Sequence, residues 1–407
     1  MKKHIAKLAA AFVLGGLVLF AACSGSENGE DLNGEANGGY VTPSPTPGPT
    51  PAPTPVMDPP DWSGGRVETT EADFEFEFNE EMGGIVITGY IGTALHVRIP
   101  DTIDGRPVVG IGGADWFYAD DAAFSNSQIL SVEIPDTVTY IGQLAFFNSW
   151  LSSIVIPDSV THLGMGAFFD SLITTAVIGN GVTQIGIETF RNTPLTSVTI
   201  GSGVRYISEA SFAFTRLESV TIPDNVVTIR GEAFAETPLT SINIGSGVSQ
   251  ISRGVFVNTP LENITVAADN PVFFDRDGVL YMRQDDEIVL SVFPAARTGE
   301  YIIPDDVSRI ASSAFFQSSL WHIAIGRGVR HIESGAFESA HLRTITFQGS
   351  SVNIETRAFA SNLWLETVNF HGGALGFTIN MGAFIETNPD DASRRRILTI
   401  NPNVVFH

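Results

Sequence analysis

Small polar side chains recur at a fixed spacing along the middle of the chain. They lie two residues apart within a segment and 22 residues apart between segments, so they form two columns. The candidate binding residues of these columns are Ser197, Thr199, Ser219, Thr221, Ser241 and Asn243. Hydroxyl and amide groups donate and accept hydrogen bonds, so the columns could bind an extended protein or glycan. The alternative is that serine and threonine suit the exposed side of a strand.

Residue types that could bind a metal lie at irregular positions. His322, His331 and His341 are close in sequence, but no cysteine or regular histidine spacing accompanies them, which favours solvated histidines. Residues 275–278 (DRDG) begin like a calcium-binding loop but lack the third acidic ligand and the terminal glutamate, which favours a β-turn. We therefore predict no metal and no cofactor.

Catalysis and nucleic-acid binding are both disfavoured. The sequence contains no GxSxG, HExxH or GxxxxGK[ST] motif, and we predict that the protein is not an enzyme. A glycan-active enzyme stays an alternative if two acids such as Asp120 and Asp285 lie roughly 5–10 Å apart across a cleft. A net charge of −23 repels phosphate backbones, so we expect no nucleic-acid partner.

A repeat of 22 residues organises most of the chain. Its most regular members are the phenylalanines Phe124, Phe146, Phe168, Phe190, Phe212, Phe234 and Phe256, followed after an interruption by Phe315, Phe337 and Phe359. So strict a period over so many copies predicts a solenoid, in which each coil stacks on the next.

One coil, residues 217–238, illustrates the unit. Val220 and Ile222 share one face of a short strand, while Ser219 and Thr221 face the other way. Pro-Asp follows the strand in this coil, and Gly-x-Gly stands at that place in others. Two different solutions at one place indicate a backbone bend and not a shared ligand.

The repeat unit LxSVxIPxxVxxIxxxAF, nearly intact at residues 217–234, resembles the leucine-rich repeat of BspA-like bacterial surface proteins. The resemblance implies a β-rich leucine-rich-repeat solenoid, right-handed and curved, of about 11–12 coils of 22 residues. Members of that family are typically displayed on cell surfaces, and some are adhesins that bind host matrix proteins. Because one scaffold serves many functions, the resemblance predicts the fold more strongly than the function.

Residues 1–22 carry the features of an export signal. Lysines within the first seven residues precede an apolar run over residues 8–20 and a small-residue cleavage context. The single cysteine, Cys23, follows in LFAACSGS, which resembles the lipobox of bacterial lipoproteins, although Phe20 departs from the usual aliphatic residue. The alternative is an ordinary secretory signal with a chance cysteine. We predict lipidation at Cys23, anchoring at the bacterial cell surface and no other membrane contact.

Composition divides the rest of the chain. Residues 23–72 are rich first in Gly, Asn and Glu and then in Pro and Thr, so we expect a disordered, extended stalk. Residues 73–94 predict an N-terminal β-hairpin cap, residues 95–384 the solenoid and residues 385–407 a C-terminal cap.

Two insertions interrupt the solenoid, near residues 104–124 and 269–293. The first adds Trp116, Phe117 and Tyr118, which we include among the candidate binding residues because protruding aromatic side chains often contact partners. The second predicts two strands joined by an acidic turn at residues 284–287.

These features together predict a surface-anchored, adhesin-like binding protein that recognises an extracellular protein or glycan. The alternative is a structural envelope or spacer protein without a specific host ligand. A glycan-active enzyme is the third hypothesis.

Overall fold

The computed structural model describes residues 69–112, 122–371, 376–380, 382–385, 387 and 405–406. Cys23 and the three aromatic residues Trp116, Phe117 and Tyr118 lie outside the described residues, as do the predicted signal peptide and residues 23–68 of the linker. Regular structure in the described part is almost entirely β, with one 3₁₀ helix at Glu71–Asp73. No helix there is long and apolar enough to cross a membrane.

The described chain begins with a hairpin. Its first five strands are β1 (Phe74–Asn79), β2 (Gly84–Tyr90), β3 (His96–Arg98), β4 (Thr102–Ile103) and β5 (Arg106–Ile111). β1 and β2 pair antiparallel, and β2 also pairs in parallel with β5. The Tyr90 ring stacks on Phe124 at 5.4 Å, so the hairpin contacts the start of the phenylalanine column. Its role as an N-terminal cap stays a prediction.

From residue 131 each coil contributes a longer strand and a two-residue strand. In chain order these are β6 (Ser131–Glu133), β7 (Tyr140–Ile141), β8 (Ser153–Ile156), β9 (His162–Leu163), β10 (Thr175–Ile178), β11 (Gln184–Ile185), β12 (Ser197–Thr199), β13 (Tyr206–Ile207), β14 (Ser219–Ile222), β15 (Thr228–Ile229), β16 (Ser241–Ile244), β17 (Gln250–Ile251) and β18 (Asn263–Val266). The even-numbered strands form the long-strand face, and the odd-numbered strands form the short-strand face.

Three strands then break this alternation before it resumes. They are β19 (Phe273–Arg276), β20 (Val279–Gln284) and β21 (Glu287–Val292). The remaining strands are β22 (Thr298–Ile302), β23 (Arg309–Ile310), β24 (Ser319–Ile325), β25 (His331–Ile332), β26 (Thr344–Phe347), β27 (Asn353–Ile354), β28 (Thr367–Phe370), β29 (Thr378–Ile379) and β30 (Val405–Phe406). β19, β20 and β21 pair antiparallel, and β21 pairs in parallel with β23, so it rejoins the short-strand face.

Parallel pairing with a 22-residue register joins successive coils. On the long-strand face, for example, Val220 pairs with Ile242, and on the short-strand face Ile207 pairs with Ile229. These inward side chains are buried, while Ser219 and Thr221, the neighbours of Val220 on β14, are exposed. The structure thus confirms the predicted β-solenoid.

The third side of each coil is a turn that carries the phenylalanine column. Ring centroids of consecutive phenylalanines from Phe124 to Phe234 lie 5.0–5.5 Å apart. In five consecutive coils a Ser or Thr hydroxyl three residues later donates to the phenylalanine carbonyl at 2.8 Å, as Thr215 does to Phe212. Because each ring packs between two others, one coil cannot bury its phenylalanine alone.

Three of the corners that follow long strands hold a contact that the sequence did not predict. The carboxylates of Asp158, Asp224 and Asp305 accept the backbone N–H of Asn180, Ser246 and Arg327, each the middle residue of Gly-x-Gly one coil later. The Gly-x-Gly glycines fit tightly, since a Cβ on Gly247 would lie 2.0 Å from the carbonyl oxygen of Asp224. Pro-Asp and Gly-x-Gly are therefore two halves of one contact between neighbouring coils.

Candidate functional site

The predicted polar columns lie on the long-strand face. Ser219 pairs with Ser241 and Thr221 with Asn243, which places these four residues side by side on β14 and β16. Ser197 and Thr199 lie on β12, which pairs with β10 but with no other strand of the described part. The six residues therefore belong to two neighbouring sheets.

Exposure of these columns is uneven. Ser197, Ser219, Thr221 and Asn243 are exposed, whereas Thr199 and Ser241 are half-buried. The Asn243 amide donates to the Thr221 hydroxyl at 3.3 Å, so part of the hydrogen-bonding capacity is used within the face. The columns remain candidate binding residues, but their geometry alone selects no ligand.

The three clustered histidines do not converge. His331 Nε2 contacts the Glu355 carboxylate at 2.7 Å, and His341 Nδ1 lies 3.2 Å from the carbonyl oxygen of Ser318. His322 lies 3.3 Å from the Thr346 hydroxyl. Within the described ranges no group of three or more metal-ligating side chains could hold a metal ion.

The second insertion forms the hairpin β19–β20 and the return strand β21. Its first turn, at Asp277 and Gly278, has φ values of 49° and 73°, and it fits the β-turn interpretation of residues 275–278. Asp285 lies in the exposed second turn. Its suggested partner Asp120 is outside the described residues, so the carboxylate pair stays a hypothesis.

The solenoid core divides at this insertion. One buried cluster ends with Phe273 and Leu280, and a second begins with Val279 and Tyr281. The phenylalanine column divides at the same place: Phe256 contacts Phe234 at 6.2 Å, and Phe293 contacts Phe315 at 4.8 Å. No ring contact within the described residues joins Phe256 to Phe293.

A groove opens where the column divides. It encloses about 650 Å³, within the range of roughly 300–1,000 Å³ typical of ligand sites. We call it the junction groove and define it by Ile251, Phe256, Val257, Met282, Phe293 and Phe316. Ile251 and Phe256 are half-buried, although Ile229 and Phe234, one coil earlier, are completely buried.

The backbone on one wall of the groove lacks the neighbour that other coils have. β17 pairs with β15 on one side, and no described strand pairs with its other edge. The N–H of Phe256 also has no hydrogen-bond partner among the described residues. The short-strand face is divided between β9 and β11 as well, but there the stack continues, with Phe168 and Phe190 at 5.2 Å.

The opposite side of the junction is held by polar contacts. Tyr281 and Tyr301 share a hydrogen bond of 2.6 Å between their hydroxyl groups, and burial raises the pKa of both. Arg276 donates two hydrogen bonds to Asp306, at 2.8 and 2.7 Å, and these hold the pKa of that carboxyl below its ordinary value. These contacts tie the hairpin to the second half of the solenoid. The hairpin also contacts the first half, because the Ile264 N–H donates to the Gly278 carbonyl at 3.1 Å and the Val266 N–H to the Asp275 carboxylate at 2.8 Å.

Sequence reasoning pointed to the insertion but not to the groove. The interval from Val266 to Ile303 exceeds the period, which marks residues 269–293 as a break. However, Ile251 and Phe256 stand in a coil of normal length, and their residue types match those of buried positions in neighbouring coils. Their exposure is set by the displacement of the next coil in space, which no local pattern reveals.

Comparison with known proteins identifies the repeat. Residues 118–237, 172–274 and 287–393 match the BspA type leucine rich repeat region, with six copies. No curated protein matches the chain.

Several solved structures are similar to this chain. A leucine-rich repeat protein from Eubacterium ventriosum is 23% identical with a TM-score of 0.48, covering 57% of this chain and 67% of its own. A leucine rich cell surface protein from Faecalibacterium prausnitzii is 22% identical with a TM-score of 0.45, covering 76% of this chain and 96% of its own. The pneumococcal vaccine antigen PcpA is 20% identical with a TM-score of 0.49, covering 78% and 82%.

The family assignment follows from the repeat match. The matched residues lie between 118 and 393 and make up well over half of the chain. Parallel pairing between coils and stacked phenylalanines occur on both sides of the insertion, as between Val220 and Ile242 and between Ile323 and Ile345. The chain therefore belongs to the family of BspA-type leucine-rich repeat proteins.

Proposed function

We propose that this chain is an exported, lipid-anchored protein of the bacterial cell surface that binds an extracellular protein or glycan through its solenoid. Family membership supports surface display and a repeat scaffold for binding. The observation that carries the proposal is the junction groove, a ligand-sized opening of about 650 Å³ at the place where the phenylalanine column divides. The proposed activity is binding without catalysis.

Partner binding is tested with the purified full chain on immobilised matrix proteins, mucins and a glycan array. We expect saturable binding to one ligand class. An absence of saturable binding to all three would reject the binding function and favour the envelope or spacer alternative. That alternative also predicts an altered envelope with normal adhesion in a deletion strain, whereas the binding function predicts the reverse.

Anchoring is tested separately through Cys23, which follows the predicted signal. We expect Cys23→Ala to release the protein into the medium, because the acyl chains have no other attachment point in a chain with one cysteine. The measurement is the share of the protein in membrane and medium fractions. Retention of the variant in the membrane fraction would contradict the lipid anchor.

A further inference from the structure

We propose that the junction groove binds an extended polypeptide segment of the partner, which takes the place of the missing neighbouring coil. This inference rests on the proposed function and specifies its ligand. The groove continues the interface between coils, because β11, β13, β15 and β17 pair in sequence and the pairing stops at the open edge of β17. An edge strand of this kind is a template for another chain.

Backbone N–H groups on the turn side show what is missing. Ten phenylalanines of the column donate their N–H to a carbonyl one coil later: Phe124, Phe146, Phe168, Phe190, Phe212, Phe234, Phe293, Phe315, Phe337 and Phe359. Phe256 has no such acceptor in the described part. Two residues on, the Asn258 N–H reaches only the Gln317 side chain at 3.3 Å, whereas the equivalent Glu236 N–H bonds a backbone carbonyl at 2.9 Å.

Backbone carbonyls on the short-strand side complete the pattern. One coil earlier, the carbonyls of Val227 and Ile229 accept the N–H groups of Ser249 and Ser252. No described N–H reaches the carbonyls of Ser249 or Ile251. The open wall therefore offers carbonyl acceptors at one end and an N–H donor at the other. A polypeptide backbone can bond to both, because it carries N–H donors and carbonyl acceptors.

The side chains that line the groove determine which side chains a bound peptide should have. Ile251, Phe256, Val257 and Phe316 form an apolar surface, and burying it is favourable at about 25 cal/mol per Å². Arg253 is exposed at the groove and forms no ion pair with any described residue. The ligand that fits carries apolar side chains at alternate positions and an acidic side chain for Arg253.

A glycan fits this groove less well than a polypeptide. Polar side chains such as Ser249, Ser291 and Ser312 also line the groove. Glycan hydroxyl groups that face the apolar side chains of Ile251, Val257 and Phe316 would nevertheless lose their hydrogen bonds to water. The unpaired carbonyls of Ser249 and Ile251 also lie at the edge of β17, in a face whose strands pair with extended main chain at a spacing of about 4.8 Å. The polypeptide is therefore the ligand that the groove favours.

The test uses a display library of random 12-residue peptides selected on the full chain. The variants are Val257→Arg and Phe316→Glu, because other coils carry Arg191 and Glu338 at the same coil position and tolerate a charge there. The matched control is Phe169→Glu, at that coil position but outside the groove. We expect selected peptides with alternating apolar residues whose affinity falls at least tenfold in both variants and is unchanged in the control.

Backbone methylation separates main-chain pairing from side-chain contact. N-methyl groups placed at alternate residues of a selected peptide should abolish binding in one of the two alternations, because only one set of N–H groups faces the edge. Equal binding of both methylated peptides would overturn the proposal. So would a library that yields no binder, or a glycan whose binding is lost in Phe316→Glu.

The outcomes distinguish this inference from the proposed function. If the wild-type chain binds a matrix protein, mucin or glycan saturably and the two groove variants bind it equally well, the peptide site is wrong and the binding function stands. If the wild-type chain binds neither the extracellular panel nor any library peptide, both are wrong.

Discussion

Two regions of the same solenoid use similar residues with different results. In the coils over residues 195–238, each phenylalanine ring packs between two others, each N–H of the column has an acceptor, and Ile207 and Ile229 are fully buried. In the coil that carries Ile251 and Phe256, the same residue types are half-buried and the Phe256 N–H has no described acceptor. The difference lies in the neighbour and not in the coil.

The comparison shows how a repeat protein can acquire a specific site. Regular coils satisfy one another's backbone groups, and small polar residues recur on their long-strand face, as at Thr221 and Asn243. Where the insertion displaces the next coil, backbone groups and apolar side chains that elsewhere stabilise the fold become available to a partner. We therefore propose that binding specificity lies at the junction.

Removing a ring from each region should show the largest contrast. Phe212 is fully buried between rings at 5.5 and 5.4 Å, so Phe212→Ala should cost about 3–5 kcal/mol. Phe256→Ala should cost clearly less, because that ring is half-buried and stacks on one side only. Urea unfolding of both variants measures the two values. Equal losses would show that the junction is as well packed as the regular coils.

A substitution at the corner contact between regular coils should cause the next largest loss of stability. A Cβ on Gly247 would lie 2.0 Å from a backbone oxygen that cannot move independently, so Gly247→Ala should cost about 2–3 kcal/mol. The matched control is Ser159→Ala at the same coil position, where the buried hydroxyl has no hydrogen-bond partner and a change within about 0.5 kcal/mol is expected. Thermal unfolding measures the stability of the two variants. A Gly247→Ala variant as stable as the wild type would contradict the tight corner.

The tyrosine pair tests how the hairpin is tied to the second half. Tyr281→Phe leaves the half-buried Tyr301 hydroxyl without its partner and should cost about 1–2 kcal/mol. Tyr206→Phe is the control, because Tyr206 is exposed and should change little. A loss in the control as large as in Tyr281→Phe would rule out a special role for the pair.

The same pair predicts a direction of pH dependence. The folded state raises the pKa of both hydroxyls above the ordinary value of 10.0, so it favours the neutral forms. This contribution is complete below pH 10 and is lost as the pH rises further. Unfolding measured between pH 8 and about 11 should therefore show a steeper loss of stability in the wild type than in a Tyr281→Phe, Tyr301→Phe double variant.

Much of the fold could be predicted from the sequence because the period is strict. The phenylalanine spacing located the stacked column, and the alternation around Val220 and Ile222 located the strands. The Asp224 contact with Ser246 was not predicted, because Pro-Asp and Gly-x-Gly occur in different coils and only stacking brings them together. The groove was missed for the same reason, since nothing local distinguishes Phe256 from Phe234.

Hydrogen exchange at the Phe256 amide is the most direct test of the central claim. The free chain should exchange this proton much faster than that of Phe212, whose N–H is bonded to the Ala233 carbonyl at 2.9 Å. A selected groove peptide should then slow exchange at Phe256 and leave Phe212 unchanged. Protection of the Phe256 amide in the free chain equal to that of Phe212 would show that the coil edge is closed and would contradict the open junction.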